Sequence, residues 1–170
     1  MIEPPAYYDL FGGPRDEHES IPDALRNRLR EQIHLTTAQK RSVKRTTRVP
    51  QAVGWCEGVH MHVWAAFTND EITTRMEDHD MRYTRTHTWM PLYELIQRLH
   101  DTRRTGLALA VEQSALAAIE RGNPITPRMD FSRHAPVLCK MVWMRRSETS
   151  YEVACFERTE MEGFGLARNG

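Results

Sequence analysis

Residues 54 to 64 read GWCEGVHMHVW, and the pair His60 and His62 comes closest, in type and spacing, to a chemical site. Side chains two apart on a strand leave the same face, so the two imidazoles can share one ligand. Zinc and iron commonly take two of their protein ligands in this way. The remaining ligands would come from Asp78, His79, Asp80 or His87, a little further along. MEDHDMR sets three of these in successive positions, which a loop can bring to one ion and regular structure rarely can. The competing reading is a sheet face that carries His60, His62 and Trp64 with ordinary hydrogen bonds. The second reading is adopted: no cofactor is expected, and a divalent metal on His60, His62 and His87 is kept as the lesser candidate.

Gly54, five residues, then His60-x-His62 resembles the opening of the first cupin motif over nine residues. The resemblance implies a metal-binding jelly roll with a glutamate soon after the second histidine. Ala66 and Phe67 stand there instead, and a second motif with its own histidine is missing, so the cupin reading is set aside. Paired histidines can also cleave phosphodiesters, each titrating near neutrality. The two-histidine phosphoesterases need two His-x-Thr or His-x-Ser strands. His34-Leu35-Thr36 and His100-Asp101-Thr102 have that spacing but fall at or in predicted helices. A further arrangement, His60, His62 and His87 beside Arg82 and Arg85 on neighbouring strands, would form a cationic face with nothing to order an acid and a base. No Gly-x-Ser-x-Gly elbow and no phosphate-binding glycine loop occurs.

A second signal is electrostatic. From Gln32 to Cys56 there is no acidic residue, whereas Lys40, Arg41, Lys44, Arg45 and Arg48 fall within nine positions. On a helix they form one continuous basic face, interleaved with Thr37, Ser42, Thr46 and Thr47, whose hydroxyls can bond phosphate oxygens. Arg82, Tyr83 and Arg85 would extend the surface. The plain alternative is a solvated face paired with carboxylates elsewhere. Because the chain carries 23 basic and 23 acidic side chains, this run is a local asymmetry and not a global one. The leading expectation is therefore a small non-enzymatic protein that contacts nucleic acid or a nucleoprotein complex through residues 40–48. A histidine- or metal-dependent enzyme centred on His60 and His62 is one alternative. An assembly subunit that reaches itself or another chain through Tyr7, Tyr8, Leu10 and Phe11 is the other.

These groups need elements to hold them. Residues 1–19, with two prolines and Gly12-Gly13-Pro14, predict an irregular arm, whose Tyr7, Tyr8, Leu10 and Phe11 must dock somewhere. Ser20, Pro22 and Asp23 open a helix that carries Ile21, Leu25, Leu29 and Ile33 to about residue 34. A second helix from Thr37 to Thr47 is conceivable despite its scant apolar content. Alternation predicts strands over 59–67 and 82–89. Leu92, Leu95, Ile96 and Leu99 mark a helix capped by Thr88 and ended by Gly106. Residues 107–122 predict another, and VLCKMVWMRR with YEVACFER a hairpin.

The order predicts one α+β domain over residues 20–170, a mostly antiparallel sheet with helices packed on one face. No apolar run is long enough to cross a membrane, and MIEPPAYYDLFGG has no signal-peptide pattern. Three unpaired cysteines agree with a reducing, cytoplasmic setting. Cys139 and Cys155, inside apolar runs, are expected to be buried.

Overall fold

The computed structural model describes residues 7–48, 52–56, 58–75, 87–121 and 136–158. In chain order the elements are β1 (Tyr7–Asp9), β2 (Phe11–Pro14), α1 (Ile21–Gln32), α2 (Thr37–Thr46), β3 (Ala52–Cys56) and β4 (Val59–Phe67). They continue with β5 (His87–Pro91), α3 (Leu92–Asp101), α4 (Thr105–Glu120), β6 (Val137–Arg146) and β7 (Tyr151–Arg158). The fold is α+β. The seven strands of the described residues form one sheet, and every pairing among them is antiparallel except that of β4 with β6. No helix among the described residues is long and apolar enough to cross a membrane.

Strand alternation decides what lies on either side of the sheet. Met61 and Val63 of β4, Val142 and Met144 of β6, and Val153 and Cys155 of β7 face α3 and α4, which contribute Leu95, Leu99, Leu107, Ala108, Val111 and Ala115. The intervening residues, Trp64, Ala66, Cys139, Met141 and Trp143, face α1 and α2, which supply Ala24, Leu25, Leu29 and Val43. Helices therefore cover both faces, not one as the element order suggested. β4 and β6 are the reason. They are apolar on both sides, the mark of a strand buried between two layers.

The first helix begins as its sequence predicts, with the Ser20 hydroxyl accepting from Asp23 N at 3.1 Å and proline in the first turn. The next boundaries differ from expectation. Gly106 does not end α3; it sits in the first turn of α4. The chain breaks earlier, at Thr102–Arg104, where Arg103 takes a left-handed φ of 62°. Thr88 lies in β5 and Pro91 precedes α3 without a side-chain cap. The strand read over 59–67 is β4, and β3 precedes it as a strand not foreseen. β3 and β4 pair antiparallel from Cys56↔Val59 to Ala52↔Val63, with Gly58 at φ 78° in the turn.

The N-terminal arm is regular where the structure describes it. β6 and β7 pair only next to their connecting turn, from Met144↔Val153 to Arg146↔Tyr151. Beyond that they part, and residues 7–14 fill the fork. β1 runs along β7 (Asp9↔Phe156), the chain reverses at Leu10, and β2 runs back along β6 (Phe11↔Met141). Gly12 permits this, because a Cβ there would overlap the Cys139 carbonyl and its φ is 130°. Gln32 at the end of α1 clasps the strand, its amide accepting from Gly12 N and donating to Gly12 O at 2.8 Å each. Leu10 and Phe11 are buried in the chain's own core. They dock on their own domain and are not presented to a neighbour; Tyr7 and Tyr8 stay half-buried.

Candidate nucleic-acid interface

α2 is short and almost without apolar side chains, so its own propensity would not hold it helical in water. Two inward residues and a cap compensate. Thr36 and Gln39 form a capping box: Gln39 N donates to the Thr36 hydroxyl at 3.1 Å, and Thr36 N to Gln39 Oε1 at 3.0 Å. The Thr36 hydroxyl donates in turn to Asp70 at 2.6 Å. The Gln39 amide also donates to the Thr68 hydroxyl at 3.2 Å, tying the helix to the end of β4. One turn on, Val43 enters the core beside Trp64 and Ala66.

With Gln39 and Val43 fixed inward, Lys40, Arg41, Lys44, Arg45 and Arg48 must point outward, and all five are exposed. At 3.6 residues per turn Lys40, Arg41, Lys44 and Arg45 occupy a continuous arc of roughly 140° over about 8 Å of helix, and Arg48 follows just past the C-cap Thr47. None forms a salt bridge among the described residues. Other surface cations do: Arg26 pairs with Asp23 at 2.6 Å, Arg98 with Glu94 at 3.0 Å and Arg145 with Glu152 at 3.0 Å. Arg82 and Arg85, expected to extend the surface, lie outside the described residues, as do Asp78, His79 and Asp80.

The histidine strand is β4. His60 and His62 do share a face, directed to the α1–α2 side, with His62 only 2% exposed and its ring 6.3 Å from that of Trp64. Burial pushes His62 down to about 4, and the charges of His60 and Arg15 add to it. It is thus neutral at pH 7 and has no proton to give as an acid there. Burial also lowers His60. His87 does not join them. It lies on β5, which pairs with β7, so β6 and β7 stand between it and β4. Its ring packs against Phe11 at 6.2 Å and Trp89 at 6.4 Å. The neighbouring-strand trio imagined from sequence is therefore not assembled. Among the described residues no cluster of three His, Cys, Asp or Glu is placed to hold a metal. His34-Leu35-Thr36 links α1 to α2, and His100-Asp101-Thr102 ends α3, so neither is a strand motif. Cys139 and Cys155 are buried, and burial drives both thiols up to about 12.

A second group of cations, invisible in the sequence, lies at the fork. Asp9, 2% exposed, meets Lys140 (3.1 Å), Arg158 (2.5 Å) and Arg104 (3.7 Å). Leu10 N donates to the same carboxylate at 2.8 Å. Lys140 Nζ donates also to Leu10 O at 3.4 Å, and Arg104 to Tyr8 O at 2.6 Å. Burial by itself would raise the Asp9 carboxyl. The charges of Lys140, Arg104 and Arg158 overcome it and hold the group well below the usual carboxylate range. Burial lowers Lys140, against the attraction of Asp9. These residues come from β1, the turn before α4 and the β6–β7 hairpin, segments far apart in the chain, so no local pattern could have signalled them.

Comparison of the chain with family models, curated proteins and solved structures finds no match.

Proposed function

We propose that this protein binds nucleic acid, free or within a nucleoprotein complex, through the outer face of α2. One observation carries the reading: four exposed cations on one helical arc, and Arg48 just past its end, form no salt bridge among the described residues. The arrangement works against the helix itself. Lys40 with Lys44 and Arg41 with Arg45 are like charges four apart, and each such pair costs a few tenths of a kcal/mol. A partner bearing closely spaced phosphates would offset that cost and release its own condensed counterions. Thr37 and Ser42 add hydroxyls beside the cations. Long cationic side chains on an exposed convex face meet the phosphates first, so the expected contact is with backbone phosphate and largely independent of sequence.

The test is binding of a mixed DNA and RNA pool across a salt series. If each of the five cations neutralises one phosphate, log K against log salt slopes at roughly −4.5 for duplex DNA and about −3.5 for single strands. A variant with Lys40, Arg41, Lys44, Arg45 and Arg48 all changed to Gln should stay folded and lose the binding. A folded wild-type protein that binds no nucleic acid at low salt refutes the proposal.

A further inference from the structure

Tyr93, Leu109 and Leu116 are the exposed large apolar side chains of the described residues, at 80, 49 and 44%. All three stand on the α3–α4 layer, across the sheet from α2. Exposed apolar side chains scattered singly need no explanation, but several on one layer do.

On α4 the outer positions Thr105, Leu109, Glu112, Leu116 and Ile119 recur at intervals of four, three, four and three, the spacing of a coiled-coil seam. The first four are exposed and Ile119 half-exposed. Tyr93 flanks this seam. His100 Nδ1 lies 3.4 Å from the Thr105 hydroxyl, and Tyr93, two turns earlier, shares that side of α3.

Charge selects the occupant. α4 starts without a side-chain cap or an acidic residue in its first turn, and its last turn holds Glu120 without a basic residue. Asp101, bonded by Gln97, and the C-cap Arg121 suit the helix dipole. Arg103 before the helix and Glu120 at its end oppose it. Both are exposed, and neither forms a salt bridge among the described residues. A second α4 laid antiparallel would correct both ends at once, with Glu120 of each copy near Arg103 and the uncapped amides of the other.

We propose that the α3–α4 outer face pairs with the same face of a second copy, antiparallel about a twofold axis at Glu112. Leu109 of each copy then meets Leu116 of the other, and Thr105 meets Ile119, as a self-complementary interface requires. Glu112 faces its own symmetry mate, a like-charge contact that keeps the dimer weak, as does the small area of two helices. Both α2 faces point away from the twofold axis, so pairing and phosphate binding are separable properties.

Sedimentation equilibrium of the full chain over a concentration series tests this. The expected result is a reversible monomer–dimer equilibrium. Leu109→Glu with Leu116→Glu raises its Kd about tenfold or more, and Glu112→Gln lowers it several-fold. On mild oxidation Glu112→Cys yields a disulfide-linked dimer while Thr105→Cys does not, since only position 112 lies on the axis. A chain that stays monomeric throughout overturns the proposal. A dimer untouched by the double substitution places the contact elsewhere, and efficient linkage through Thr105→Cys would mean parallel pairing; either result also overturns it.

Discussion

Two groups of cations occupy this molecule, and their surroundings are opposite. On α2 and just past its end, five are exposed and form no salt bridge among the described residues. At the fork of β6 and β7, Lys140, Arg104 and Arg158 converge on one buried carboxylate, Asp9. Water already solvates the first group, so no internal partner is required and the charge is available to something outside. The second group could not be left bare, because unsolvated charge must be paired where it is buried. Asp9, Tyr8 O and Leu10 O therefore hold the N-terminal strands in the fork. The same side-chain chemistry binds outward in one place and locks the chain onto itself in the other.

The largest expected effect tests the lock. Asp9→Asn keeps the shape but leaves Lys140 and Arg104 buried without the carboxylate, and should cost about 3–5 kcal/mol. Urea unfolding reads this directly. Adding Lys140→Met should recover part of the loss, because one of the stranded charges is then gone. Changing all five α2 cations to Gln should alter stability by about 0.5 kcal/mol or less. If Asp9→Asn proved as mild as the α2 change, the contrast between the two groups would collapse. Acid gives a parallel reading. The Asp9 carboxyl is depressed in the fold, so its contribution is complete above the ordinary carboxylate range near pH 4 and fades as pH falls below it.

His62 supplies the next effect, in a different pH window. Its folded value of about 4 lies below the ordinary 6.5, so between these limits the unfolded chain binds the extra proton. Stability must then fall as pH drops from 6.5 towards 4, by roughly 3 kcal/mol in all. Unfolding free energies at pH 7 and pH 4.5 check it. In His62→Leu the loss across that interval should shrink markedly, whatever its effect at pH 7. An unchanged pH dependence would mean that His62 is not the buried neutral group described, and the histidine strand would again be a candidate for acid–base work.

Much of the frame was legible because it is local. Ser20, Pro22 and Asp23 mark the start of α1; the alternation of Val59 to Phe67 marks β4; the residues around Ser147 to Ser150 mark the β6–β7 turn. Even α2 was outlined by its charges, although the buried Gln39 that anchors it to Thr68 was not. Helix placement was harder to see. The two-sided burial of β4 and β6 shows only once their partners are known, and β3, whose five residues Ala52–Cys56 carry no clear alternation, was not read as a strand of its own. The fork and its cluster were out of reach, since Asp9 meets Lys140 and Arg158 across almost the whole chain. The candidate site divides along the same line. The basic face is a short-range pattern and was read directly, whereas the separation of His87 from His60 and His62 is a matter of strand order.

The smallest effect discriminates most sharply between a face kept for the helix and one kept for a partner. Lys40 lies in the second turn of α2, nearer its positive end, and four residues before Lys44. Both the dipole and the like-charge neighbour disfavour a cation there. Lys40→Ala should therefore stabilise the protein, by about 0.3–0.5 kcal/mol at low salt, with a smaller gain as salt rises. The same change should weaken nucleic-acid binding and make the salt slope less negative by about 0.9 for duplex DNA. Stability and binding moving in opposite directions is the signature of a residue whose charge serves something outside the chain. If Lys40→Ala were instead destabilising, the cation would have an internal partner. α2 would then belong with the fork cluster as a structural device, and the difference between the two regions would be one of exposure alone.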